Sequence, residues 1–386
     1  MIPTSPRARV TALALAATLV VSACSGGGSS TATPATTRTP RAPVPGTTWS
    51  TTSPGAVGLD AQKLDEIGQV AEQGKSNCFV VVRDGKVAHE QYFRGTNAAS
   101  AQDIYSATKS ITSTLVGIAA DDGRLRIDDS ASKWIPEWKG TPAAAVTVRD
   151  LLSNDSGREW SPTIDYVQLL RASDRTAFAI GLPQAHPPGQ VWAYNNSAIQ
   201  TLQRVLQQAT GTDVVTYAKQ RLFDPLGMTD TMMTTDRAGN AQTFEGVRST
   251  CRDLARFGVM MLDGGRWGDR RIVSTRWVHE ATGRSSTKLN AAYGYLWWLN
   301  RKGVIGSPLV ATDVSAAANP TTTRGRLVPD APHDIYWALG LGNQIVQVDP
   351  GSRTVVVRLG TGEPRPKPPT FGPAEASRVV TEAVTR

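Results

Sequence analysis

Two turn signals near opposite ends of the chain restrict its fold more than any other feature. Asp84-Gly85 separates strand-like runs at 78–82 and 86–93, and Pro350-Gly351-Ser352-Arg353 separates runs at 344–349 and 354–359. Asp-Gly between two such runs favours a type I′ turn, because both central residues then need φ > 0. Between these hairpins the apolar spacing is mostly helical, as at 106–121, 197–209, 214–222 and 251–263. Further helices are expected at 59–73 and 374–384. The expected class is α+β: an antiparallel sheet built from both chain ends, with an inserted all-helical lobe packed beside it. The sheet lobe takes about 57–105 and 290–386, and the helical lobe about 106–289. A cleft between lobes is the default place for a site.

The first 24 residues read as a processing signal. Arg7 and Arg9 precede an apolar run at 10–21, which at twelve residues is too short to remain as a spanning helix. It ends in Val21-Ser22-Ala23-Cys24, similar to the lipobox of bacterial lipoprotein signals, which implies acylation of Cys24 and anchoring at the outer face of the cell membrane. The stretch 25–56 is dominated by Ser, Thr, Pro, Gly and Ala and is expected to be a disordered tether. The globular domain is expected over 57–386. Of the 386 residues 40% are hydrophobic, enough for a sizeable core. The formal net charge is +8, two of the positive charges lie in the leader, and the rest are spread without a basic block, which argues against nucleic acid as a partner. The four histidines are scattered and no Cys-x-x-Cys occurs, so no metal or other cofactor is expected. Cys78 and Cys251 can pair in an oxidising compartment or lie apart as small buried residues; spacing does not decide.

The chemistry rests on three weak signals in one order. Ser106-Ala107-Thr108-Lys109 opens a long helical pattern, so one turn brings Lys109 beside the Ser106 hydroxyl. Burial disfavours a lysine's charged form, and the neutral amine can accept a serine proton. The same spacing recurs at Ser130 and Ser285, but Pro136 interrupts the first and Gly283 and polar neighbours surround the second. Tyr194-Asn195-Asn196 is the one Tyr-x-Asn in the chain: a phenol near an amine can serve as general base and then acid, and an asparagine can bond a substrate amide. Trp337-Ala338-Leu339-Gly340-Leu341-Gly342 leads into the last hairpin, where glycines let substrate approach the backbone.

This order, with Tyr194 88 residues after Ser106, resembles the serine β-lactamases of class C and their relatives, which include D-alanyl-D-alanine carboxypeptidases, esterases and 6-aminohexanoate-dimer hydrolases. Flanking stretches such as Pro225-Leu226-Gly227-Met228 and Tyr293-Gly294-Tyr295-Leu296-Trp297-Trp298 are similar too. The resemblance implies a β-lactamase/transpeptidase-like fold, with Ser106 as nucleophile and Lys109 and Tyr194 as the acid–base pair. It places Asn196, Gly340 and Gly342 against substrate, and an oxyanion hole at the N–H groups of Ser106 and Leu341.

One departure narrows the substrate. The family's Lys-Thr-Gly strand carries a cation for the substrate carboxylate, whereas Ala338-Leu339-Gly340, or Leu341-Gly342-Asn343 in another frame, supplies none; Arg324 or Arg326 could replace it. The pattern is closer to the esterases and the 6-aminohexanoate-dimer hydrolases. The expected activity is hydrolysis of a small ester or amide through an acyl-enzyme. A carboxypeptidase or β-lactamase, and a non-enzymatic binding lipoprotein, are the alternatives the same fold can host. Trp192, Trp297, Trp298 and Trp337 either line an apolar pocket or belong to the core.

Overall fold

The computed structural model describes residues 48–319, 322–364 and 366–385; Cys24, the leader and most of the expected tether lie outside the described residues. The main sheet has six strands: β1 (Ser76–Arg83), β2 (Lys86–Tyr92), β3 (Trp298–Leu299), β4 (Tyr336–Gly340), β5 (Gln344–Asp349) and β6 (Thr354–Gly360). Their order is β2-β1-β6-β5-β4-β3, with every pair antiparallel. Both ends of the chain therefore build one sheet. The first hairpin turns where the sequence places it, with φ of 48° at Asp84 and 74° at Gly85. In the second, the Asp349 carboxylate accepts the Ser352 N–H at 3.0 Å.

One face of the sheet carries α1 (Ala61–Gln73) and the C-terminal helix Pro373–Arg378, where Leu64, Ile67 and Ala71 are buried. Asp60 caps α1 by accepting the Lys63 N–H at 3.1 Å. The other face carries α2 (Thr108–Asp121) and α3 (Cys251–Leu262). Lying between the hairpins in sequence, α3 nonetheless packs on β1, β5 and β6: its Leu254, Phe257 and Met261 are buried, and Gly258 lets it sit close against Val346 and Val355. A disulfide joins Cys78 in β1 to Cys251 at its start, with Cα atoms 6.4 Å apart, which resolves the alternative left open by sequence.

The folded part begins before residue 57, the boundary that composition suggests. Thr52 N–H donates to the Val87 carbonyl at 3.0 Å, and Val87 N–H donates to Ser50 at 2.9 Å. The exposed edge of β2 takes up this segment, and Trp49 packs on the core beneath the Arg256 guanidinium, 5.3 Å from the ring centroid. The helical part is shorter-paced than its periodicity suggests: 197–209 divides into Asn196–Gln200 and Leu202–Thr210.

Candidate active site

Ser106 lies in the 3₁₀ turn Tyr105–Ala107 that leads into α2, so the helix proper starts two residues later than the sequence pattern implies. Tyr105 holds φ at 48°, a left-handed conformation rare for a non-glycine residue, and this aims the next side chain outward. The turn is tied down on both sides: Ile104 N–H donates to Val247 O at 3.0 Å, and Thr108 Oγ1 accepts from Val247 N–H at 3.0 Å.

Lys109, one turn on, is 1% exposed. Its Nζ lies 2.9 Å from Ser106 Oγ and 3.0 Å from the Phe244 carbonyl. Burial pushes the amine down to about 7, against the opposing pull of Glu245 and Asp165. By contrast Lys133, in the rival Ser130 motif, is 60% exposed and paired with Asp129.

Tyr194 brings the second signal to the same place. Lys109 Nζ stands 4.6 Å from the centre of its ring, and the Ser106 and Trp298 side chains partly offset the upward push that burial gives its phenol. Burial raises the phenol well above its ordinary value, so it rests protonated, and Lys109 is the member of the pair poised near neutrality. The ring is clamped by Trp298, stacked at 5.7 Å, and by Tyr293, edge-on at 6.1 Å. Asn195 locks the backbone by capping the following helix at Ala198 N–H (2.8 Å), and Trp160 Nε1 donates to the Tyr194 carbonyl at 3.1 Å.

Ser106, Tyr194, Asn196, Gly340 and Leu341 all line one cavity of about 300 Å³, open between the lobes. Asn196 is buried with its Oδ1 unpartnered, an acceptor available to a ligand. Gly340 ends β4 against the Tyr105–Ala107 turn: a Cβ there would stand 2.1 Å from Ile104 O and 3.2 Å from Ala107 N. Only a glycine lets the strand come this close, and the approach brings the Gly340–Leu341 peptide beside Ser106.

Gly342 does not line the cavity. With φ of 73° it forms the β4–β5 turn together with Asn343 (φ 61°), and its carbonyl accepts from Arg358 Nη1 at 2.6 Å. The strand expected from the glycine pattern thus ends two residues earlier, so Gly342 is corrected from a substrate contact to a turn residue. Arg324 lines a different cavity, and Arg326 is not among the lining residues, so neither supplies the missing cation. Of the four tryptophans, Trp298 reaches the cavity, whereas Trp192, Trp297 and Trp337 are fully buried core.

Several lining residues gave no sequence signal. Asp165, fully buried, accepts the N–H groups of Asn196 and Ser197 and the Ser197 hydroxyl, and burial pushes its carboxyl upward. Glu245 lines the cavity while paired with Arg175 at 2.7 Å. Tyr166, Leu170, Leu339 and Pro308 make the mouth mainly apolar. A lone acid in a helical pattern reads as a solvated face, and no spacing rule points to loop residues 244–245.

Comparison with known proteins adds the following. The model of the Beta-lactamase family matches residues 65–379. The 6-aminohexanoate-dimer hydrolase of Paenarthrobacter ureafaciens is 25% identical over 318 residues, covering 78% of this chain and 76% of that protein. Among solved structures, a Bacillus anthracis protein described as a candidate 6-aminohexanoate-dimer hydrolase superposes with a TM-score of 0.66 at 20% identity, covering 86% of this chain and 85% of that one. A candidate beta-lactamase from Bacteroides dorei gives a TM-score of 0.67 at 21% identity, covering 84% and 99%.

Proposed function

The chain belongs to the Beta-lactamase family, and from that premise we propose that it is a serine hydrolase that cleaves a small ester or amide through an acyl-enzyme on Ser106. The observation that carries this reading is the 2.9 Å contact between a buried amine, Lys109 Nζ, and Ser106 Oγ at the floor of an interlobe cavity. The neutral amine takes the Ser106 proton as Oγ attacks the substrate carbonyl. The N–H groups of Ser106 and Leu341 stabilise the oxyanion, where one such donor contributes about 2.7–4 kcal/mol. As the tetrahedral intermediate collapses, the Tyr194 hydroxyl gives its proton to the leaving group and recovers one from the Lys109 ammonium. Water then attacks the acyl-enzyme carbonyl with the same pair in reverse, freeing the acid and Ser106.

Three features favour an uncharged ester or amide over a penicillin-like substrate. The cavity lining includes the carboxylates Asp165 and Glu245, carries no arginine, and is apolar at its mouth. A carboxylate-bearing ligand would find no arginine to pair with among those lining residues. Export and lipid anchoring at Cys24 are part of the same proposal; the leader composition supports them, and so does a disulfide, which persists in oxidising compartments.

A fluorophosphonate probe tests the assignment: labelling of wild type and none of Ser106→Ala is expected. A panel of p-nitrophenyl acyl esters beside nitrocefin is expected to show turnover of the esters, lost in the variant. Absence of labelling in well-folded wild type would turn the protein into a binder rather than an enzyme.

A further inference from the structure

A second cavity, of about 620 Å³, shares no lining residue with the catalytic one. Five cationic side chains face it from separate stretches of chain: Arg149, Arg284, Lys288, Lys302 and Arg324. Glu280 is the one carboxylate among the lining residues, and it lies 3.6 Å from Arg276. Arg149 is matched by Asp128 at 2.7 Å. Among the described residues, no carboxylate lies within ion-pair distance of Arg284, Lys288, Lys302 or Arg324.

Gathering like charges around one cavity costs free energy and focuses a positive potential on the space between them. The cations are not on a loose tail. Ser286 Oγ donates to the Gly294 carbonyl at 3.0 Å, Ser285 Oγ donates to Ala291, and Arg301 Nη2 donates to Gly283 at 2.6 Å, which pins the backbone that carries Arg284 and Lys288. β-Strand pairing of Gly303–Val304 with Arg324–Gly325 fixes the opposite wall.

The charge and the size select the ligand. A single monovalent anion would leave most of this positive charge unmatched. The space, about 620 Å³ and open to solvent, is roomier than one phosphate needs. Guanidinium forks grip phosphate oxygens in pairs, and lysines add mobile point charges. We propose that this cavity binds a soluble anion carrying two or more phosphate groups. The site stands apart from Ser106 and does not depend on the hydrolase reading.

Titration calorimetry of the folded chain with sodium tripolyphosphate at low salt is expected to show saturable one-site binding that weakens steeply as NaCl is added. The variant R284E/K288E/K302E is expected to bind at least about tenfold more weakly, with an unchanged melting temperature. A control of equal charge change on exposed cations outside the cavity, K139E/R237E/R270E, is expected to keep its affinity within about twofold. Three results would overturn the proposal: no saturable binding, equal losses in both variants, or retention by the cavity variant. Sedimentation with anionic phospholipid vesicles by a chain that ignores tripolyphosphate would overturn it as well, by moving the site to a lipid surface.

Discussion

The amine of Lys109 and the hydroxyl of Ser106 lie 2.9 Å apart with the lysine excluded from solvent. Burial sets the amine near pH 7, so its neutral, proton-accepting form grows as pH rises through that value. The kcat/KM of a p-nitrophenyl ester should therefore fall about tenfold per pH unit below about 7 and level off above it. A flat profile across that range would remove Lys109 from the base role.

The same burial has a stability consequence of definite sign. The folded-state value, about 7, lies below the ordinary 10.5, so between these values the unfolded chain binds the extra proton. Stability contributed by this group thus climbs with pH across that window and sits at its lower plateau beneath it. Lys109→Met keeps the volume and removes the buried charge. Hydrolysis should vanish while the melting temperature near pH 6, followed by calorimetry, stays level or rises.

Gly340→Ala would push a methyl to 2.1 Å from Ile104 O. The strand end must then retreat from the Tyr105–Ala107 turn and carry the Leu341 N–H with it. A loss of about 10²-fold or more in kcat, with circular dichroism unchanged, is expected. Activity close to wild type would show that the oxyanion is held elsewhere.

Because no arginine is among the cavity's lining residues, and Arg175 is already engaged by Glu245, substrate charge should matter. An ester lacking a carboxylate near its scissile bond should exceed its carboxylate-bearing analogue at least about tenfold in kcat/KM. Paired kinetic measurements decide this, and a preference for the acid would point to an unrecognised cation at the site.

Replacing Cys78 and Cys251 by serine opens a covalent loop whose ends are 173 residues apart in sequence. Urea unfolding should report a loss of about 2–5 kcal/mol. The reduced wild type should match the variant.

How legible was this in the chain itself? Local rules were enough for the strands of both hairpins, since Asp84-Gly85 needs nothing beyond its own backbone preference. They were enough as well for the contact of Ser106 with Lys109, which one turn of chain brings together. Gly342 was misread because a glycine suits a turn and a substrate-facing strand equally. The 48–56 segment looked like tether because composition cannot see that β2 offers it an unpaired edge.

By itself, then, the order of residues determined the two hairpins, the Ser106–Lys109 contact and the family, because each depends on neighbours a few positions apart or on motif order. Tertiary structure alone decided which proton carrier sits near neutrality, that Cys78 meets Cys251, that Asp165 and Glu245 face the cavity, and that five cations share another. Burial and charge proximity are sums over groups remote in sequence, and no local spacing encodes them.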